Sequence, residues 1–251
     1  VEDASHVHGA EYKGKKCGSF GLASAFSLWE LKVIGVGNGG FLLTNDEDVA
    51  RGVYEAINHC RKVVDLEKWV TTEDYCGIGY NYRMTELQAA IGLCQMKKLD
   101  HIVETRTRNA EYLTRHLEQI EGIEPMYVAP YVKPSYYTYH MEIDEKLFGI
   151  TASRFAEALR FEGTPARTGV EGPVYLTRLF RERVGYGRNW HCPFDCPRLE
   201  KPVEYKEGLC PVAERKKDSW IFLPVYPGLK KEDLDDIIGG VEKVADGLRA
   251  G

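Results

Sequence analysis

The chain has 251 residues, of which 43% are hydrophobic and 28% are charged, a composition typical of a folded globular protein. A formal net charge of -5, with lysines and arginines scattered along the chain, argues against nucleic acid as a partner. No apolar run reaches the roughly 18 residues that cross a bilayer, and residues 1–20 lack the layout of a signal peptide, so we expect no membrane partner. Seven cysteines, an odd number, fit reduced thiols, and we therefore expect a cytoplasmic protein.

The first segment, VEDASHVHGA at residues 1–10, is typical of the end of a buried strand and the turn after it. Asp3 lies at the end of this predicted parallel strand, where α/β enzymes bind their ligands. Because the chain opens with this strand and Val1 is not an initiator methionine, we expect an N-terminal portion to be missing.

The segment KVIGVGNGG at residues 32–40 raises the question of a dinucleotide-binding loop. Such a loop places its glycines between a strand and a helix, so that the helix N-terminus meets the pyrophosphate. Here the sequence predicts a second strand, Gly40 to Thr44, directly after the glycines, and only then a helix capped by Asn45 or Asp46. The order of elements therefore argues against dinucleotide binding. On the helix, one apolar face is predicted to consist of Val49, Val53, Ala56, Ile57 and Cys60.

The remaining elements indicate two domains, residues 1–100 and residues 101–251. A Thr85/Gln88 capping box opens a long bridging helix with a possible break near Asp100. Beyond it the sequence predicts a strand in SYYTYHMEI, a capped helix in TASRFAEALRFEG that ends at Gly163, and an irregular insertion over residues 164–227. The C-terminal helix is predicted from an apolar stripe at helical spacing: Leu234, Ile237, Ile238, Val241, Val244 and Leu248.

Lys32 is the candidate nucleophile of the first domain. It follows Ser27 by five residues and precedes the glycines, in a tight and partly apolar turn. A lysine amine in such a turn can form a Schiff base with a carbonyl compound. Together with the acid Asp3, it forms the pair of groups that pyridoxal 5'-phosphate (PLP) requires.

Several segments in chain order closely resemble those of the DegT/StrS-type aminotransferases, and the resemblance runs from Val1 to about Val244. They are VEDASHVHGAEYKGKKCGSFG, AFSLWELK, GVGNGG, GYNYRMTELQAAIGLCQMKKLD and LPVYPGL. The family aminates keto sugars on nucleotides or keto cyclitols. The resemblance implies an α/β, type I PLP-dependent transferase (aspartate aminotransferase-like) fold, present here as part of the large domain and a small α+β C-terminal domain. It also implies transfer of an amino group from glutamate or glutamine to such an acceptor.

The resemblance implies a role for each candidate site residue. Lys32 would form the internal aldimine with PLP, and Asp3 would keep the pyridine nitrogen protonated. His6 would lie against the ring, and Ser27 would bond the phosphate. Asn81 would reach the phosphate of a neighbouring subunit's cofactor, so a homodimer with shared active sites is expected. The glycines at the end of KVIGVGNGG would let the backbone turn beside Lys32.

The sequence departs from the family's pattern in two places. One is next to Lys32, and the other is before the strand that contains Asp3. Val33 replaces the usual asparagine, Leu31 the usual threonine or serine, and Asn38 the glutamate of G-E-G-G. The family also carries a long segment before the aspartate strand, with a phosphate-binding loop and a stacking aromatic. We therefore expect the 251 residues alone to bind the cofactor less well than the complete family protein.

The sequence leaves open two other functions and a possible metal site. If the chain is a non-catalytic member or fragment that acts as a dimer partner, we expect no covalent cofactor. If it is a nicotinamide oxidoreductase, we expect dinucleotide binding that survives replacement of Lys32.

The insertion also offers a possible set of zinc ligands: His191, Cys192, Cys196 and Cys210. The spacing between Cys192 and Cys196 is loose for such a site, and we predict no metal site.

Overall fold

The structure is a computed structural model that describes residues 1–169, 172–185, 193–194, 196, 199–201 and 203–249. The chain divides into two compact units. Unit 1 comprises Val1–Glu111, Tyr127–Tyr137 and Val225–Gly228, and unit 2 comprises Tyr112–Met126, Thr138–Pro224 and Leu229–Gly251. Among the described residues, no helix has both the length and the apolar composition needed to span a bilayer.

The secondary structure of the described residues alternates short strands with helices. The strands are β1 (Glu2–Asp3), β2 (Glu11–Tyr12), β3 (Lys15–Lys16), β4 (Ala23–Ser27), β5 (Gly40–Thr44), β6 (Arg61–Asp65), β7 (Val70–Tyr75), β8 (Ile123–Pro125), β9 (Val132–Lys133), β10 (Tyr139–Ile143), β11 (Arg167–Thr168) and β12 (Ile221–Leu223). The helices are α1 (Glu47–Ile57), α2 (Glu86–Met96), α3 (Leu99–Leu117), α4 (Glu145–Phe148), α5 (Ala152–Phe161), α6 (Arg178–Arg181), α7 (Pro211–Lys216) and α8 (Lys231–Arg249), with a 3₁₀ turn at Val174–Leu176.

Unit 1 contains three small sheets. In the first, β4 lies between β1 and β5, with β1 parallel and β5 antiparallel to it. The second has the order β3-β2-β9, and the third is the β6–β7 hairpin. Asp3 pairs with Ala25 in the parallel register, which confirms that Asp3 ends a parallel strand. The strand predicted at Gly40–Thr44 is also confirmed.

Helix α1 begins as predicted but does not bury the predicted apolar face. Asp46 is the N-cap, and its side chain accepts a hydrogen bond of 2.9 Å from Val49 N. The helix ends at Ile57, so Cys60 lies beyond it, and none of the residues of α1 is buried. The contacts of α1 with the β6–β7 hairpin are partly polar: Glu55 Oε1 accepts from Val63 N at 2.9 Å.

The long helix predicted after Thr85 is two helices. The capping box of Thr85 and Gln88 is present at the start of α2. The break falls between α2 and α3, after Met96 and before Leu99, slightly ahead of the predicted Asp100. In α2 only Gly92 is buried, and Leu87 is 80% exposed. Helix α3 contributes residues 99–111 to unit 1 and residues 112–117 to unit 2.

Unit 2 is built on one antiparallel sheet in the order β11-β12-β10-β8, with α5 and α8 packed in the same unit. The strand predicted in SYYTYHMEI is confirmed only from Tyr139 onward. Thr151 caps α5, and Gly163 follows it with a φ of +89°, a left-handed conformation that favours glycine. The buried core of this unit includes Tyr139, Met141, Phe155, Leu159, Ile221, Leu234, Ile237, Ile238, Val241 and Val244.

Candidate active site

Lys32 lies in a compact turn that joins β4 to β5. Its backbone N–H donates to Trp29 O at 2.9 Å, and Glu30 N donates to Gly37 O at 2.8 Å. A hydrophobic cluster packs against this turn, and its buried members are Leu28, Ile34 and Val36. Lys32 itself is half-buried, and the cluster packs beneath the backbone of its turn.

The glycines of GVGNGG shape this turn. Gly37 has a φ of +92°, which a residue with a Cβ rarely adopts. A Cβ on Gly40 would come within 2.7 Å of Phe26 O, because β4 and β5 pair closely there. Strand β5 follows directly, so the arrangement is that of a strand-to-strand turn, as predicted.

Asp3 is held at the end of β1 by Ser5. Asp3 Oδ1 accepts hydrogen bonds from Ser5 Oγ at 2.5 Å and from Ser5 N at 3.1 Å. These two bonds lower the pKa of Asp3, and the charges of Lys32 and of His6 in its protonated form lower it further. The Asp3 side chain is therefore a carboxylate over the whole neutral range.

His6 and Lys32 meet at the ring of Tyr137. The ring centroids of His6 and Tyr137 are 4.1 Å apart and stacked, and Lys32 Nζ lies 4.7 Å from the Tyr137 centroid. Lost solvation lowers the pKa of His6, and the Lys32 charge adds to this, so His6 is mainly neutral at neutral pH. In the part of the chain that the structure describes, Lys32 forms no ion pair with a carboxylate.

Ser27 is the last residue of β4 and pairs with Gly40. Its Oγ accepts a hydrogen bond of 3.3 Å from Trp29 N. Since the hydroxyl acts as acceptor in that bond, its proton remains available for an oxygen of a bound anion.

Asn81 is exposed and is not joined to the other candidate residues by any hydrogen bond or ring contact within the described ranges. Its backbone forms an isolated bridge with Asn58, whose Oδ1 accepts from Arg83 Nη1 at 2.5 Å. The flanking rings of Tyr80 and Tyr82 stack at 4.8 Å. The segment thus has a defined conformation, with the Asn81 side chain at the surface.

Ser5 and Tyr137 were not predicted as site residues. Tyr137 lies within SYYTYHMEI, which the sequence predicts to be a strand, but strand β10 begins only at Tyr139. A signal for Ser5 was present, because a serine two residues after an aspartate commonly forms this local hydrogen bond. Tyr137 offered no such signal, since its contacts span more than a hundred residues of sequence.

The thiols of the insertion form no recognisable metal centre in the described residues. No group of three or more histidine, cysteine, aspartate or glutamate side chains is suitably placed there. Cys196 and Cys210 are free thiols. His191 and Cys192, the other members of the considered zinc set, lie outside the described residues.

Comparison with known proteins decides the family. The sequence profile of the DegT/DnrJ/EryC1/StrS aminotransferase family matches residues 1–242. The chain belongs to this family. The resemblance that rested on VEDASHVHGA, AFSLWELK and GYNYRM is thereby confirmed.

Individual relatives of the chain include carbohydrate-biosynthesis proteins and aminotransferases. The chain is 28% identical over 98% of its length to the spore coat polysaccharide biosynthesis protein SpsC of Bacillus subtilis, and covers 60% of it. It is 31% identical over 81% of its length to an L-glutamine:2-deoxy-scyllo-inosose aminotransferase of Streptoalloteichus tenebrarius, and covers 50% of it.

A solved structure supports the fold. Helicobacter pylori PseC, an aminotransferase involved in the biosynthesis of pseudoaminic acid, matches with a TM-score of 0.76 and 26% identity, over 98% of this chain and 59% of that one. The prediction of a type I PLP-dependent transferase fold is confirmed. The chain spans about 60% of the length of relatives such as SpsC and PseC.

The residues present suit the cofactor that the fold implies. PLP needs an amine for its aldehyde, a carboxylate for its ring nitrogen and hydrogen-bond donors for its phosphate. Lys32 supplies an amine, Asp3 an ionised carboxylate, and Ser27 a hydroxyl proton.

Proposed function

We propose that the protein is a PLP-dependent aminotransferase that moves an amino group from glutamate or glutamine to a keto sugar, nucleotide-linked, or to a keto cyclitol. The observation that carries the proposal is the convergence of Lys32 and His6 on the Tyr137 ring, with the Asp3 carboxylate within electrostatic reach of both. Membership of an aminotransferase family supports the reaction class.

Each site residue has a proposed task that its surroundings support. Lys32 Nζ attaches the cofactor and moves the proton at the substrate carbon that exchanges its amino group. Asp3 binds the protonated ring nitrogen, and the neutral His6 packs against the ring. Ser27 Oγ donates to a phosphate oxygen. Bound there, PLP supplies an aldehyde that takes up the amino group and a pyridinium ring that withdraws electrons.

Asn81 is proposed to act in the active site of a second copy of the chain. Its side chain is exposed and contacts no other candidate residue of the described chain. A carboxamide on a backbone fixed by the Asn58 bridge can donate to a phosphate oxygen of the neighbouring subunit. The proposed assembly is therefore a homodimer with shared active sites.

The substrate class is inferred from the relatives. One is named as a glutamine-dependent aminotransferase of a keto cyclitol, and another as a UDP-4-amino-4,6-dideoxy-N-acetyl-beta-L-altrosamine transaminase from Campylobacter jejuni. Both names describe amino transfer to a carbon of a sugar or cyclitol ring, at which the acceptor carries a keto group. We propose the same acceptor chemistry here.

The direct test is to locate the lysine that holds PLP. The purified chain is incubated with millimolar PLP, reduced with borohydride, digested and mapped for a phosphopyridoxyl mass. We expect one adduct, on Lys32, because its charge interacts with the Asp3 carboxylate that would hold the ring nitrogen. A second sample, left unreduced and given glutamate, is expected to release 2-oxoglutarate in an amount equal to the bound PLP.

Two variants serve as controls. Lys32→Ala should abolish both the adduct and the keto acid, whereas replacement of Lys68, whose side chain is 77% exposed, should change neither. Scattered adducts that persist in Lys32→Ala would contradict the proposal and favour a non-catalytic dimer partner. Dinucleotide binding that survives Lys32→Ala would favour an oxidoreductase.

A further inference from the structure

Ser5 donates two hydrogen bonds to a single oxygen of the Asp3 side chain. Ser5 Oγ and Ser5 N both donate to Asp3 Oδ1, at 2.5 and 3.1 Å. Asp3 Oδ2 accepts no hydrogen bond from any residue within the described part of the chain. One oxygen is thus fixed and the other is left for a ligand.

We infer that Ser5 is a positioning residue for the cofactor: it holds Asp3 Oδ1 so that Oδ2 remains free for a protonated aromatic ring nitrogen. The inference rests on the proposed function, because the ring nitrogen is that of PLP. It adds a residue that acts through Asp3 without touching the ring nitrogen itself.

The hydrogen bonds of Ser5 act on both the orientation and the charge of the carboxylate. An exposed aspartate at the end of a strand samples several rotamers, and two donors on one oxygen select one of them. The Ser5 hydroxyl is also the largest contributor to the lowered pKa of Asp3. A carboxylate that stays ionised and oriented before the cofactor binds loses less entropy on binding.

Other groups near Asp3 do not replace Ser5. Lys32, and His6 in its protonated form, lower the pKa of Asp3 through their charges, but neither forms a hydrogen bond or ion pair with it in the described ranges. Both also have other contacts, since they meet at the Tyr137 ring. Ser5 is therefore the residue that fixes the direction of the carboxylate.

The test compares Ser5→Ala with Ser5→Thr, which keeps a hydroxyl, and with Ser19→Ala. Ser19 is an exposed serine of the same unit whose Oγ donates to Lys16 O. The first readout is the carboxyl ¹³C titration of Asp3 in the cofactor-free chain, assigned with Asp3→Asn. We expect the pKa of Asp3 to rise toward that of an unrestrained aspartate in Ser5→Ala alone.

The second readout is the dissociation constant of PLP with the same variants. For the loss of one exposed, charge-assisted hydrogen bond we expect binding to weaken about threefold to tenfold in Ser5→Ala, with Ser5→Thr close to the parent chain. Circular dichroism confirms that each variant is folded. Weaker PLP binding in Ser5→Ala, together with the shifted Asp3 titration, supports the inference.

Two outcomes overturn the inference and separate it from the proposed function. If the Asp3 titration is unchanged in Ser5→Ala, Ser5 does not control the carboxylate. If the titration shifts but PLP affinity does not, while the Lys32 adduct still forms, Ser5 has no role in cofactor binding and the proposed function stands. A parent chain without the Lys32 adduct overturns both.

Discussion

At the scale of single residues, Tyr137 links the two groups that the family resemblance had placed at the cofactor. Its ring stacks on His6 and lies under Lys32 Nζ. Lost solvation is the main cause of the lowered His6 pKa, and the stacked Tyr137 ring covers one face of the imidazole. A neutral imidazole can pack against a cofactor ring without placing a second positive charge beside the pyridinium.

Removal of the Tyr137 ring should therefore raise the pKa of His6. We expect Tyr137→Ala to move it up toward the ordinary value for histidine, because water then reaches the imidazole, whereas Tyr137→Phe should leave it nearly unchanged. The measurement is a ¹H–¹³C NMR titration of the His6 ring in the cofactor-free chain. An unchanged titration in Tyr137→Ala would show that the stacking contact does not determine the charge state of His6.

At the scale of elements, Glu2 ties β1 to the loop that precedes β4. Its carboxylate accepts hydrogen bonds from the backbone N–H groups of Gly18, Phe20 and Gly21, at 2.7, 2.5 and 2.6 Å, and from Ser24 Oγ at 3.1 Å. The bond from Gly21 is the largest of the causes that lower the pKa of Glu2. Glu2 therefore secures the strand that ends at Asp3.

The stability of the folded chain should depend on pH through Glu2. Its pKa is lower in the folded state than in the unfolded state, so the unfolded chain binds more protons as the pH falls. The stabilisation is present above the unfolded value, about 4.3, and is lost as the pH falls through the folded one. We expect Glu2→Gln to lower the free energy of unfolding at neutral pH and to flatten its acid dependence.

The matched control is Glu30→Gln, since Glu30 is exposed and its side chain makes no hydrogen bond to a described residue. Urea denaturation at several pH values measures the difference. Equal acid profiles for Glu2→Gln and the parent chain would contradict the assignment of this carboxylate as a structural acceptor.

At the scale of the whole molecule, the chain divides into two compact units. Unit 2 buries Phe155 completely, with its ring centroid 5.3 Å from that of Phe148. Phe161 lies on the same helix, α5, and is 86% exposed. Phe155 and Phe161 therefore allow the contribution of side-chain burial to the free energy of unfolding to be measured within one helix.

Phe155→Ala should lower the free energy of unfolding of unit 2 by about 3–5 kcal/mol, the usual range for removal of a buried aromatic side chain. Phe161→Ala should stay within about 0.5 kcal/mol, because its ring is already in water. Far-ultraviolet circular dichroism in urea gives both values. Similar decreases in the free energy of unfolding for the two variants would show that the Phe155 side chain is not buried.

Local patterns in the sequence determined many elements. Asp46 and the Thr85/Gln88 pair cap helices as predicted, since a cap involves only residues three or four positions apart. Strand β5 and the stripe of α8 followed from side-chain periodicity. The apolar pattern of α1 did not predict its burial, because periodicity shows which face is apolar but not whether other elements cover it.

By itself, the sequence determined the family, through ordered segments such as VEDASHVHGA and GYNYRM, and it placed Asp3 at the end of a parallel strand. The tertiary structure alone brought Tyr137 to His6 and Lys32 and left Asp3 Oδ2 without a hydrogen bond from the described chain. The reason is physical: a local motif fixes backbone geometry over a few residues, whereas a ring contact between distant segments depends on how the chain between them folds.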